Sequence, residues 1–232
     1  MPPATSPALA RDLMNALFPV QCLGCGQWDT PLCDHCSALV NSIPHRWELL
    51  GETPNDIPLV VAGKYAGPWR NIILALKHNH ALDGKALLLR IGGALGYGLL
   101  NSGIPPCAAS ATADQENIWV IPAPPSWKRR LSGHSITDTL ALGLARVLAN
   151  ETQRPVTVVN AISLRVGASS QASRSGEERR LARKGQMRLR LPVPSSVDVV
   201  IVDDVVTTGA TMLEMVAILG RHPWAALAIA RA

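Results

Sequence analysis

Asp203 and Asp204 close an apolar run, Val199 to Val202, and lead directly into Val205-Val206-Thr207-Thr208-Gly209-Ala210-Thr211. Two adjacent carboxylates offer hard oxygen acceptors that suit sugar hydroxyls or a hydrated Mg²⁺. The threonines that follow supply hydroxyl donors. A helix opening at Gly209 would present free backbone N–H groups and the positive end of its dipole, a combination that binds a phosphate monoester. Glycine at 209 allows close approach of a ligand to the backbone. The β-branched run reads as a buried parallel strand. The plain structural alternative is a buried strand that ends in two helix-capping aspartates.

A second group of residues lies near the amino terminus. Cys22, Cys25, Cys33 and Cys36 form two C-x2-C pairs with seven residues between them, a spacing that brings four thiolates to one tetrahedral Zn²⁺. Gly24 and Gly26 permit the tight turns that point backbone amides at sulfur. A redox pair would be single and would follow a strand of its own βαβ unit. Disulfides fit a secreted chain, but the first residues lack a basic segment followed by an apolar core. His35 lies inside the second pair and reads as surface or packing, because four cysteines already complete the set. No open coordination position is implied, so the metal is expected to be structural. Cys107 stands alone as an unpaired thiol.

The elements that must hold these residues follow from length and patterning. The chain has 232 residues, 47% of them hydrophobic and 17% charged, enough for one α/β core with a small appendage. No stretch reaches transmembrane length free of charge; the apolar segment from Ala86 to Leu100 contains Arg90 and four glycines. No membrane insertion is expected, and the cytoplasm is the expected location. Aromatic residues are few, six Trp, two Tyr and one Phe, so no base-stacking platform is evident. The net charge is +5, yet residues 165–190 hold eight Arg or Lys against Glu177 and Glu178. That basic segment can meet a diphosphate, a nucleic-acid backbone or water alone.

Residues 7–17 read as an amphipathic helix after the Ser6-Pro7 start. The cysteine pairs follow, with a helix from Ser37 to Asn41, and residues 44–57 read as a linker. Strands are expected at 59–65, 118–122, 156–159 and 225–230, with a further one at 187–191. Helices are expected from Pro68, over 82–99, over 136–149 and over 209–220. Strand–helix alternation with short connections gives a parallel sheet covered on both faces. Ligands in such sheets bind beyond the carboxyl ends of the strands. The expected fold class is therefore α/β, with an amino-terminal unit at residues 1–50 and a main domain at 58–232.

The run 199–211 resembles the 5-phosphoribosyl-1-diphosphate (PRPP) signature of type I phosphoribosyltransferases in length, order and chemistry. Together with the four-cysteine knuckle it resembles the ComF family, phosphoribosyltransferase-like proteins associated with DNA uptake and competence. The resemblance runs from about Pro19 to the end. It includes Tyr65-x-Gly67, Ala75-Leu76-Lys77, Ile121-Pro122 with the basic run and Gly133, and Gln171 with Arg174 and Arg180. Two loops depart from the family pattern. Ser132-Gly133-His134-Ser135-Ile136 replaces Arg-Gly-Phe-Asn-Gln, and Arg180-x-x-Arg183 replaces Arg-x-x-Asn.

The resemblance implies a parallel sheet of the type I phosphoribosyltransferase kind, flanked by helices, with a small four-cysteine zinc knuckle. It implies PRPP or a ribose 5-phosphate nucleotide as ligand, bound with Mg²⁺. Asp203 and Asp204 would meet the ribose hydroxyls, directly or through the metal. The stretch Val205, Val206, Thr207, Thr208, Gly209, Ala210 and Thr211 would hold the 5-phosphate. Lys128, Arg129, Arg130, Arg174, Arg179 and Arg180 would neutralise the diphosphate leaving group, with Arg180 counted beside the two acids as catalytic. Purine-type enzymes carry an acid in the turn where Thr207 stands here, so purine salvage is disfavoured. The competing expectation is a non-catalytic, nucleic-acid-associated competence factor that retains the pocket. Its partners would be single-stranded DNA or DNA-processing proteins, and a second copy of the chain remains an open partner in either case.

Overall fold

The computed structural model describes residues 20–42, 47–51, 56–78, 84–106, 117–125, 135–165 and 185–232. The helix expected at 7–17 lies outside them. Among the described residues are five helices: α1 (Asp34–Asn41), α2 (Gly67–His78), α3 (Gly84–Leu100), α4 (Ile136–Thr152) and α5 (Ala210–Leu219). The strands are β1 (Trp47–Leu50), β2 (Ile57–Lys64), β3 (Asn117–Pro122), β4 (Val156–Val158), β5 (Ile162–Leu164), β6 (Met187–Leu189), β7 (Val197–Val206) and β8 (Ala225–Arg231).

Six strands form one sheet in the order β1-β2-β8-β7-β3-β4, and every pairing except β1 with β2 is parallel. Parallel strands need both faces covered, and their sequences show it. Val197 to Val202 of β7 are all buried, and β8 is buried from Ala225 to Ala230. The alanine-rich β8 has weak strand propensity, yet its place between β2 and β7 decides its conformation. Helices α2, α3 and α4 cover one face, with Trp69, Ile72, Ile73, Leu95 and Leu144 in the core. The other face packs against α5 through Met212, Met215 and Leu219, and against β5 and β6 through Ile162 and Met187.

Local chemistry sets the helix ends. The Ser135 hydroxyl accepts from the Asp138 amide at 3.2 Å and caps α4, so the departure from the family pattern at this position keeps a capping side chain. Helix α4 ends on Gln153 and α5 on Gly220, both left-handed.

Three expectations need correction. Residues 44–57 were expected to link two units, but Trp47–Leu50 form β1, antiparallel to β2. Only Leu50 of that strand is buried, so it lacks the alternation by which strands are recognised. The strand expected to stop at Val202 runs on to Val206, held by pairing of Asp203, Val205 and Val206 with β8. The strand expected at 187–191 is β6, which pairs antiparallel with β5 in a separate two-stranded ribbon.

Candidate functional site

From β3 the chain passes through α4 to β4 at one edge of the sheet; from β7 it passes through α5 to β8 in the opposite direction. Helices α4 and α5 lie on opposite faces. The carboxyl ends of β3 and β7 therefore flank a topological switch point, where open α/β sheets bind ligands. An expected site segment and a segment of the family resemblance meet there. One is the acidic pair with its turn, and the other is the strand end Ile121-Pro122-Ala123. Ala123 donates its amide to the Val202 carbonyl at 2.7 Å, and its own carbonyl accepts from the buried Thr137 hydroxyl at 3.0 Å.

The two acids are not equivalent. Successive strand residues leave opposite faces of a sheet. Asp204 is buried on the α2 side, where Lys77 Nζ lies 2.8 Å from its Oδ2. Asp203 is half-buried, and its Oδ1 accepts from the Asp204 amide at 2.8 Å. In the sequence Lys77 is marked only as the last residue of Ala75-Leu76-Lys77. Its place in the last turn of α2 marks it as a basic residue at a helix end, but no sequence signal names a partner so distant along the chain.

Beyond the acids, Val205 packs toward the α2–α4 face and Val206 is buried on the other, so both contribute backbone rather than side chains to the turn. Thr207 and Thr208 are exposed, and Thr211 is half-buried. The Ala210 amide reaches the Thr208 hydroxyl at 3.4 Å. Gly209 is the N-cap of α5 with φ of 73°, and it provides no side-chain cap. No N-cap side chain therefore occupies the amide end of α5, the arrangement an anion site uses. A Cβ at Gly209 would lie 2.4 Å from Leu50 Cδ1. Glycine is favoured here by backbone conformation, and a side chain would also have to push Leu50 of β1 aside.

Lys128, Arg129, Arg130, Arg174, Arg179 and Arg180 lie outside the described residues, as does Cys107. The stem of the basic segment is described. The Arg165 amide donates to the Gln186 carbonyl at 2.7 Å, so β5 and β6 bring both ends of the segment together. Glu214 of α5 accepts from the Met187 amide at 3.1 Å, which fastens this stem to the helix that follows the phosphate-type turn.

The cysteines form a second, separate site. Cys22, Cys25, Cys33 and Cys36 place their sulfurs within 4.8 Å of one another. Cys22 and Cys33 Sγ are 3.7 Å apart, and Cys25 and Cys33 Sγ 3.5 Å. A tetrahedron with Zn–S bonds of ~2.3 Å has edges of about 3.8 Å, so the donor set fits zinc. A disulfide needs ~2.05 Å. Burial opposes ionisation of Cys22, but amide bonds from Cys25, Cys33 and Gly24 outweigh it and lower the thiol to about 6. Burial, then crowding by the other cysteines, pushes Cys36 up. Four sulfurs so close ionise together only around a cation. A Cβ at Gly24 would lie 2.6 Å from Cys36 Sγ, so the turn must be glycine.

The knuckle is docked on the main body. Asn71 of α2 donates to the Gly24 carbonyl at 2.8 Å, and Arg90 of α3 donates to the Ser37 hydroxyl and the Asn41 side-chain oxygen at 2.9 and 3.2 Å. Val40 of α1 is fully buried in the core of the α2–α4 face.

Residues 138–230 match the family model for the phosphoribosyl transferase domain. The match spans α4 to β8 and contains the acidic pair and the turn at 207–211. It supports a PRPP-binding, phosphoribosyltransferase-like function. The chain thus folds as a mostly parallel α/β sheet flanked by helices, with a match to the phosphoribosyl transferase domain over residues 138–230 and an amino-terminal four-cysteine cluster that fits a metal such as zinc. No curated protein matches the chain. No described helix is long and apolar enough to cross a membrane.

Proposed function

We propose that the chain binds PRPP as its Mg²⁺ complex between the ends of β3 and β7 and acts as a phosphoribosyltransferase-like protein of the ComF type. The observation that carries this reading is the position of Asp203–Thr211. The run sits inside the matched domain and at the switch point of the sheet. The turn at Thr207–Thr211 and the amide end of α5 hold the 5-phosphate. Asp203 and Asp204 would hold the ribose hydroxyls, directly or through a hydrated Mg²⁺, and such an ion would supply positive charge to offset the diphosphate. Transfer breaks the bond from C1 to the diphosphate oxygen and forms one to the acceptor, and diphosphate carries away the electron pair. Lys128–Arg130, Arg174 and Arg180 stabilise that leaving group. Thr207 provides no base, which favours an acceptor whose attacking atom carries a lone pair without deprotonation.

Zinc in this proposal fixes the knuckle and takes no part in transfer. The expected boundary after residue 50 falls behind β1, which pairs with β2, so in this reading the cysteine knuckle is an appendage docked on the main domain. A cytoplasmic location, a link to DNA uptake and a second copy of the chain enter it through the family resemblance. The alternative reading, a non-catalytic nucleic-acid factor, would draw on the knuckle, the basic segment and the family resemblance, and the knuckle supports it poorly. Residues 20–42 contain no Lys or Arg and hold Asp29 and Asp34, so the knuckle offers nothing to neutralise phosphates. That reading then depends on the basic segment and the family resemblance. Release of diphosphate from PRPP in the presence of candidate acceptors, compared with DNA affinity across a salt series, separates the two. Turnover supports transfer; tight, salt-sensitive DNA binding with no PRPP effect supports the alternative.

A further inference from the structure

The ion pair between Lys77 and Asp204 is placed where stability alone does not require it. Trp69, Ile72 and Ile73 seat α2 on the sheet, and the bond from Asn71 to Gly24 holds its outer side against the knuckle. The last turn then delivers Lys77 Nζ to 2.8 Å from Asp204 Oδ2, with the two side chains 15% and 10% exposed. A buried pair of this kind is often matched in stability by apolar side chains of similar volume. Here it lies one residue from Asp203, in the strand that leads into the phosphate-type turn.

We infer that Lys77 is a positioning residue of the PRPP site. Its ammonium holds the Asp204 carboxylate toward α2 through Oδ2 and offsets half of the charge of the two adjacent acids. Asp204 is thereby committed to α2, and Asp203 becomes the principal contact for ribose and Mg²⁺. The division keeps a pocket meant for a highly anionic ligand from presenting two uncompensated carboxylates. This inference rests on the proposed PRPP function, and its test is built so that the two can fail separately.

The test is calorimetry on the full chain, with Mg²⁺ alone and then with PRPP at saturating Mg²⁺, for the wild type, Lys77→Met, Lys77→Arg, Asp204→Asn and the Lys77→Met/Asp204→Asn double variant. Lys77→Met should bind Mg²⁺ alone more tightly, because the Asp204 carboxylate loses its cationic partner. It should bind PRPP roughly tenfold or more weakly, the usual scale for unpairing a buried charge. Lys77→Arg should recover most of the PRPP affinity. In the Asp204→Asn background Lys77→Met should change PRPP affinity by less than about twofold, since the partner is already gone. If Lys77→Met lowers the melting temperature while both affinities stay as in wild type, the pair is structural and the inference is wrong. If wild type binds no PRPP, the proposed function fails, and the Mg²⁺ titration still decides whether Lys77 offsets the acids. Should Lys77→Met not fold, Lys77→Gln gives the same two readings.

Discussion

Replacing Gly209 by alanine separates what the fold asks of this position from what a ligand asks. Gly209 has φ of 73°, and an L-residue held there is strained by about 1–2 kcal/mol. The new Cβ would also stand 2.4 Å from Leu50 Cδ1, and Leu50 is buried in the core of the α5 face. Pushing a core leucine aside costs about 1–3 kcal/mol. The two effects together predict a loss of about 2–5 kcal/mol, read by urea denaturation with linear extrapolation. Leu50→Ala alone should lose a similar amount by leaving a cavity. The double variant should be less destabilised than the sum of the singles by about 1–3 kcal/mol, because the methyl group enters the vacated space. In the Leu50→Ala background the further loss caused by Gly209→Ala is the backbone strain. Strict additivity, or a Gly209→Ala protein as stable as wild type, would refute the contact between β1 and the turn. The same reasoning bears on ligand assays: weakened PRPP binding in a Gly209→Val protein would mix a damaged turn with a blocked site. Thr208→Val and Thr211→Val probe the anion site without touching φ or Leu50.

Three further outcomes are expected. Purified, reduced protein should contain about one Zn²⁺ per chain by elemental analysis, and zinc-free reduced protein would refute the assignment; chelation should lower the melting temperature by freeing Val40 and the Arg90 bonds, while circular dichroism of the main sheet persists. Arg174→Ala and Arg180→Ala should weaken PRPP binding and leave DNA affinity nearly unchanged, whereas weaker DNA binding with a flatter salt dependence would assign the segment to nucleic acid. Asp198→Ala should destabilise by about 3 kcal/mol, because it breaks the buried 2.7 Å pair with Arg154 at the far end of β7; PRPP affinity should not change, and a marked change would mean that the two ends of β7 are coupled.

The sequence was most informative where a single segment carries its own pattern. The Leu140–Leu144–Leu148 stripe of α4, the buried run of β7 and the spacing of the cysteines are local signals, and each element appears within a few residues of its expected place. It was least informative where the cause lies elsewhere in the chain. Residues Trp47 to Leu50 become a strand because β2 pairs with them, not because they alternate. Asp203 and Asp204 read as a pair at a strand end; pairing with β8 draws both into the strand, and Lys77 of α2 then makes them unequal. The requirement for Gly209 looked like a ligand effect because Leu50 is invisible as its neighbour until the sheet is formed.

The most direct test of the central claim is a calorimetric titration of the wild-type chain with PRPP, with and without Mg²⁺, repeated on Thr208→Val/Thr211→Val. The account predicts Mg²⁺-dependent binding of one PRPP per chain that weakens by roughly tenfold or more when the two hydroxyls are removed, since each hydrogen bond to a charged phosphate contributes about 1.5–3 kcal/mol. No binding by well-folded wild type, or equal affinity in the double variant, would contradict the assignment of Asp203–Thr211 as a PRPP site.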